Sequence, residues 1–489
     1  MTVAIGVDQG TTGTRVVAFD GHWQGLASDY REAPPSHPQP GWVEKDAEQV
    51  VVSVREALRA VAAEVGRERV TAVGLDNEGE TVLAWEAETL RPLSPAIVWS
   101  CRRSQEIVNR LQADGAGDRA RELAGTPLDP YFSSTKIRWL LENCGAVADA
   151  ARAGRARFGT LDAYLCARLG DGPATEPSTA ARTQLQALAR PGAWDPELCA
   201  VFGVDAGTLP PIGPSTGSLG RLDGLPLHAL LVDQTAALAG HGCLRPGLAK
   251  ATYGTGVFVL ANAGGEPPAD PAGLLPTVAW SLPGRPPADV TYALDGGVFT
   301  AGSAMVWLRD GLGLLDDPAA SEAMARSVPD SGGVRFLPAL TGLAAPWWRP
   351  GARAAWTGMT AHTTPAHLVR AVLESVCLRV RDVLEAMAAA GARPQLLRMD
   401  GGMAQNAWLV QRQADVLGIP VRVAEEAEAT ALGAAAMALV GAGVIGMEAV
   451  FALSETGRTV EPGAESRAWR ETEYAGWRRF VEAMRALEA

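Results

Sequence analysis

The sequence predicts an α/β protein built from two related domains that face each other. Three observations lead there: a Gly- and Thr-rich hairpin at its start, a second such hairpin beyond residue 249, and strand, helix and strand in alternation around both. At 489 residues the chain is too long for a single core. The Gly and Pro of "GHGCLRPG" (240–247) place a boundary near 240, giving expected domains 1–240 and 241–489.

The first hairpin has the apolar arms "VAIGV" (3–7) and "RVVAF" (15–19). Its turn, "DQGTTGT" (8–14), admits two readings. Gly permits tight turns and Thr tolerates strands, or the backbone N–H groups and hydroxyls cradle a phosphate. A helix follows over 48–65, where Val51, Val54, Leu58, Val61 and Val65 keep helical spacing and Gly66 closes it. "TAVGL" (71–75) and "TVLAW" (81–85) read as strands around the loop "DNEGE" (76–80). In the second half "AKATYGTGVFVLAN" (249–262) repeats strand, turn and strand. Thr364 and Pro365 suit an N-cap and first helical position, leading a helix with Leu368, Val372, Val376, Val380, Val383 and Met387 near one face. "LLRMDGGMAQNAWLVQRQADVLG" (396–418) reads as strand, glycine turn and helix, and the Pro/Gly-rich stretches 263–287 and 341–351 read as loops.

Composition removes several function classes. Hydrophobic residues at 47% and charged residues at 20% describe an ordinary globular protein. Lys+Arg 43 against Asp+Glu 55 gives a net charge of −12, which argues against nucleic-acid and anionic-membrane partners. The 6 cysteines are scattered without a CxxC pair, so free thiols are expected rather than zinc or disulfides. Lys45, Lys136 and Lys250 precede Asp, Ile and Ala, which excludes a P-loop. The protein-kinase set, HExxH and GxSxG are absent, and no GxGxxG follows a strand. With no basic leader and no apolar run of about 18 residues, a cytoplasmic location is expected.

Longer motifs are more specific. "PGWVEKD" (40–46), "IVWSCRR" (97–103), "YFSSTKIRWLLEN" (131–143), "TYGTG" (252–256), "LPALTGLAAPWW" (337–348), "AAWTGMTAHTTPAHLVRAVLE" (354–374) and "LRMDGGMAQN" (397–406) occur in this order. In them the chain resembles the FGGY family of carbohydrate kinases, and within it most closely the glycerol kinase branch. That resemblance implies two actin-like, ribonuclease-H-like domains with a nucleotide and substrate cleft between them. It implies ATP and Mg²⁺ as cofactors, a small polyol or sugar as acceptor, and room for a homodimer or homotetramer.

It also implies roles. Asp8 sits near the metal, while Thr11, Thr12, Gly13 and Arg15 face the transferred phosphoryl group. Gly254 and Thr255 hold the other phosphates from the opposite domain. Gly302, Gly401, Gly402 and Asn406 match the adenosine site, with a glycine backbone approaching the purine. Val306 stands where the branch carries Gln. Asp233 takes the acceptor's proton, Gln234 binds a neighbouring hydroxyl, and Glu80, Trp99 and Tyr131 line the acceptor pocket. Gly79 departs from the branch, which has Arg before the Glu. Either another side chain supplies the lost donor, or the emptied space beside Glu80 admits a larger acceptor such as a tetritol, pentitol or ketopentose. A reading from another class, a non-catalytic actin-like ATPase switch, would need no polyol pocket.

Overall fold

The computed structural model describes residues 2–283, 290–425, 428–464 and 466–486. Its first large sheet runs in the order Gly25–Glu32, Gly13–Phe19, Val3–Gln9, Val70–Asn77, Leu225–Val232, Arg221–Leu222. The opening three strands are antiparallel, and the Val3–Gln9, Val70–Asn77 and Leu225–Val232 strands are parallel neighbours. The second large sheet runs Leu275–Ser281, Val290–Val298, Val257–Gly264, Leu248–Tyr253, Leu396–Asp400, Val421–Val423, Arg458–Val460. Here too an antiparallel group leads into parallel pairs, at Leu248–Tyr253 with Leu396–Asp400 and Leu396–Asp400 with Val421–Val423. Each half therefore carries the same wiring around its own glycine hairpin. The fold class is the α/β arrangement of two related units expected from the sequence.

Two helices fill the layer between the sheets. Asp233–Gly240 continues directly from the Leu225–Val232 strand, and Ala429–Gly441 comes from the far end of the chain. The latter reads ATALGAAAMALVG and buries nearly every residue, since it has no polar face to give to water. It belongs to the second half of the sequence but lies on the first sheet, against Val3–Gln9 and Val70–Asn77. Glycine makes that approach possible. Gly6 and Gly74 pair across the parallel strands, and a Cβ on them would sit 1.9 Å from the Ala431 carbonyl oxygen and 2.0 Å from that of Ala434. The two helices cross the same way: a Cβ on Gly240 would fall 1.9 Å from Ala429 O, and one on Gly433 1.8 Å from Ala236 O. Ala4, Ala72, Leu231, Ala236, Leu260, Ala293, Ala431 and Leu439 form one buried cluster through this layer, drawing on both sheets and both helices.

The local rules hold where they were strongest. Asp46 caps the Ala47–Val65 helix by accepting from the Glu48 and Gln49 N–H groups. Thr364 and His367 form a capping box on Pro365–Ala389. One reading needs correction. The stretch 263–287 is not all loop, because Leu275–Ser281 is the edge strand paired with Val290–Val298. Pro276 disguised it, and an edge strand tolerates proline because one side of its ladder is unpaired. Positions 284–287 of that stretch lie outside the described residues. The strand read at 81–85 is present as Val82–Glu86, and it lies with Glu44–Lys45, Ala96–Ile97 and Ala156–Thr160 in a separate sheet. The six cysteines are free thiols. Among the described residues no helix is long and apolar enough to cross a membrane.

Candidate active site

Parallel strands point their C-terminal ends to one side, and in the first sheet three carboxylates gather there. Asp8 lies beside Asp76 across the parallel pair, and Asp233 opens the helix that follows Val232, the partner of Asn77. Burial, and after it the Asp233 charge, lifts Asp8 to about 7. Asp76 is held well above the usual carboxylate range, by burial and then by Asp8, and both its carboxylate oxygens are buried. Burial also lifts Asp233, to about 6, against the pull of the Gln234 N–H, which donates to Asp233 Oδ1 at 2.6 Å, and of Lys250. Three buried carboxylates with so little cationic compensation fit a divalent cation that would displace their protons. Among the described residues no three acidic or imidazole groups converge closely enough to hold an ion unaided.

A stability effect follows. Asp8 binds its proton more tightly in the folded protein than in the unfolded chain, at about 7 against 3.8. The folded state therefore holds more protons between those values, and stability is lost as pH rises through 7. Without ligands, wild-type Tm minus Asp8→Asn Tm is expected to fall between pH 5 and pH 8. Parallel melting curves for the two proteins across that range would rule this out.

The first hairpin is braced from beneath. Gly10 N–H donates to Gly13 O at 2.9 Å. The Thr11 hydroxyl donates to Glu78 Oε2 at 3.1 Å and accepts from Trp99 Nε1 at 3.0 Å. Lys45 Nζ donates to Gly10 O at 2.8 Å and forms a fully buried ion pair with Glu78. Thr12 and Tyr30 share a hydroxyl contact of 3.2 Å. Gly13 has a packing reason to be glycine, because a Cβ would stand 2.4 Å from Arg31 O. Arg15 lies 5.0 Å over the Tyr30 ring and 3.4 Å from Glu428, just before the Ala429–Gly441 helix.

Glu80, Trp99 and Tyr131 come together around one buried lysine. Lys136 Nζ donates to the carbonyls of Tyr131 at 2.5 Å, Glu80 at 3.3 Å and Trp99 at 3.3 Å. Burial, opposed by Glu80, brings this lysine down to about 8. Trp99 and Tyr131 meet edge to face at 5.9 Å. Burial lifts Glu80 to about 7, with Arg182 opposing and Asp233 reinforcing. Gln234 accepts at 2.6 Å from Lys250 Nζ, which comes from the second sheet. The space beside Gly79 is not empty. A Cβ there would meet Val232 Cγ2 at 2.7 Å and Arg182 Cγ at 3.2 Å. Of the two alternatives for Gly79, the packing favours a neighbouring side chain over open space, since Arg182 lies against Gly79 and 3.5 Å from Glu80.

The second hairpin opens onto a cavity of about 740 Å³ lined by Tyr253, Gly254, Thr255, Gly302, Val306, Gly402 and Asn406, among others. Gly254 and Thr255 carbonyls accept from the N–H groups of Gly302 and Ser303 at 3.0 Å, so the hairpin itself covers the start of the Gly302–Asp310 helix. Gly302 and Gly401 are glycines for the protein's own backbone. A Cβ on either would lie 2.5 Å from a carbonyl oxygen, of Gly254 and Tyr253 respectively, and Gly401 has φ +88°. Gly402 differs, since a Cβ there would meet nothing within 4 Å. Asn406 caps the Ala407–Leu417 helix through Leu409 N–H at 2.9 Å. Val306 is 44% exposed at the cavity.

Comparison with known proteins decides the family. Residues 3–230 match the N-terminal domain of the FGGY family of carbohydrate kinases, and residues 249–442 match its C-terminal domain. The chain belongs to the FGGY family of carbohydrate kinases. It is 42% identical to a glycerol kinase of Symbiobacterium thermophilum, over 99% of both chains. Against a glycerol kinase of Thermus brockianus the identity is 44%, over 99% of this chain and 98% of the relative. Among solved structures, Plasmodium falciparum glycerol kinase with ADP superposes with a TM-score of 0.92 at 28% identity, covering 99% of this chain and 98% of that one. A xylulose kinase of Rhodospirillum rubrum shares the fold alone, at TM-score 0.88 and 24% identity over 99% of each chain.

Sequence reasoning passed over Asp76, Lys136, Arg182 and Lys250 in this carbohydrate kinase. Asp76 and Lys136 stood inside quoted motifs, each beside an apolar residue (Leu75 and Ile137), and that was the available signal. Lys250, between Ala249 and Ala251 in the second hairpin motif, offered the same signal, whereas Arg182 gave none, because a lone cation in a chain reads as a solvated one.

Proposed function

We propose that this carbohydrate kinase transfers the γ-phosphoryl group of ATP to a hydroxyl of glycerol. The observation that carries the reading is the position of Asp233. Its carboxylate feels Glu78, Arg182 and Lys250, and it in turn raises both Glu80 in the acceptor pocket and Asp8 at the strand ends. It thus stands between the acceptor residues and the metal-suited carboxylates. The full-length likeness to proteins named glycerol kinase supports the acceptor, as does the filling of the space beside Gly79.

In this reading Asp233 accepts the hydroxyl proton, and near pH 7 a group at about 6 is ionised and ready to do so. Glu80 and Gln234 accept from neighbouring hydroxyls, and Trp99 with Tyr131 packs the carbon chain. The first hairpin, with Thr11, Thr12, Gly13 and Arg15, meets the transferred phosphoryl group. Gly254 and Thr255 hold the remaining phosphates, while Gly302, Gly401, Gly402 and Asn406 frame the adenosine. Mg²⁺, held through Asp8 and Asp76, neutralises charge on the phosphates when bound. Domains 1–240 and 241–489 close on the ligands to exclude water. The enzyme acts in the cytoplasm, on a small molecule.

ADP release measured with ATP and a panel of glycerol, erythritol, xylitol and xylulose tests the proposal. Glycerol is expected to give the highest kcat/KM. A four- or five-carbon acceptor that outperforms it, or ATP turnover indifferent to every acceptor, would overturn the assignment.

A further inference from the structure

Arg182 follows the short Pro177–Ala181 helix and is 2% exposed. Its Nη2 donates to Asp295 Oδ2 at 2.5 Å, on the Val290–Val298 strand of the opposite sheet. Its Nε lies 3.5 Å from Glu80 Oε1, within ion-pair range but outside hydrogen-bond geometry. Both Nε and Nη1 are buried with no hydrogen-bond partner. The guanidinium stays charged in any protein environment and carries donors in a fixed plane. Leaving buried donors unpaired costs stability, and these are held by packing against Gly79 and by the Asp295 bond rather than by a need of their own. Glu80 and Tyr131, both acceptor-pocket residues, lie in its electrostatic reach.

A hydroxyl is both donor and acceptor of hydrogen bonds. A carboxylate can take its proton side, and only a donor can serve its lone pairs. Glu80 supplies the first half of that recognition and Arg182 holds the second half idle. We propose that Arg182 is an acceptor-binding and specificity-determining residue, whose Nε and Nη1 donate to a hydroxyl oxygen of the polyol while Glu80 accepts from it. This rests on the polyol-kinase reading above.

The test pairs a change in the protein with a change in the ligand. Arg182→Lys keeps the charge for Asp295 but loses the planar fork. Its kcat/KM for glycerol is expected to fall about 10- to 100-fold through KM, with the KM for ATP within about twofold. 1,2-Propanediol and 1,3-propanediol each lack one hydroxyl of glycerol. For whichever lacks the contacted hydroxyl, the same substitution is expected to cost less than about threefold, because the partner is already gone. If Arg182→Lys misfolds, Arg182→Gln combined with Asp295→Asn removes both charges and enters the same cycle. Equal losses for glycerol and both diols would overturn the inference and make Arg182 a support for Glu80. Failure of the wild type to phosphorylate glycerol would instead overturn the reading beneath it, so the two failures are separable.

Discussion

Asp233→Asn is expected to lower kcat by roughly a hundredfold to ten-thousandfold, the range for a positioned general base. The amide keeps the size of the side chain and can still accept from the Gln234 N–H, yet it cannot take a proton. Nucleotide affinity should change little, because the cavity around Gly254, Gly302 and Gly402 receives no contribution from residue 233. The wild-type pH profile offers a second reading of the same group. Since burial lifts Asp233 to about 6, kcat/KM should fall on the acid side of that value as the base becomes protonated. Near-normal turnover by the purified Asn protein, with ADP affinity intact, would place the base elsewhere.

Gly433→Ala is expected to be among the most destabilising single methyl additions in the molecule. The new carbon would sit 1.8 Å from Ala236 O and 2.7 Å from the Gly240 nitrogen, so backbone has to move on the facing helix. Overpacking ordinarily costs about 1–3 kcal/mol, and a clash with backbone on this scale belongs at or beyond the top of that range. Gly145→Ala is the matched control, since a Cβ there meets nothing within 4 Å and no positive φ forbids it. Thermal melts of the two variants should separate widely. Coincident melting temperatures would mean that the helix pair adjusts freely and that the close crossing is not a constraint.

The elements legible in the sequence were those whose local chemistry and global role agree. Both glycine hairpins, the helix after Asp46 and the helix after Thr364 announce themselves through caps, turns and periodicity. The Leu275–Ser281 strand was hidden because Pro276 and its Pro- and Gly-rich flanks argue locally for loop, while its place at the sheet edge permits them. The site divides similarly. Asp8, Glu80 and Asp233 sit in short motifs whose residue order carries information. Lys136 and Arg182 act through burial, and burial is a property of the assembled molecule. A cation that touches three carbonyls, or one held between two sheets, is the same letter as a cation in water. The space beside Gly79 illustrates the limit, because sequence records which residue is absent and only packing shows which one fills the gap.

The Ala429–Gly441 helix has a consequence for how the protein comes into being. A ribosome delivers the chain from its amino end, so the Val3–Gln9 and Val70–Asn77 strands emerge long before the segment that covers them. Until then Gly6 and Gly74 mark a bare apolar strip on the nascent first domain, without the backbone that will press against it. The first half therefore cannot reach its final form as an independent early product. Its completion waits until residues 429–441 have been made, and release of a finished catalytic half ahead of that segment is precluded by the order of synthesis.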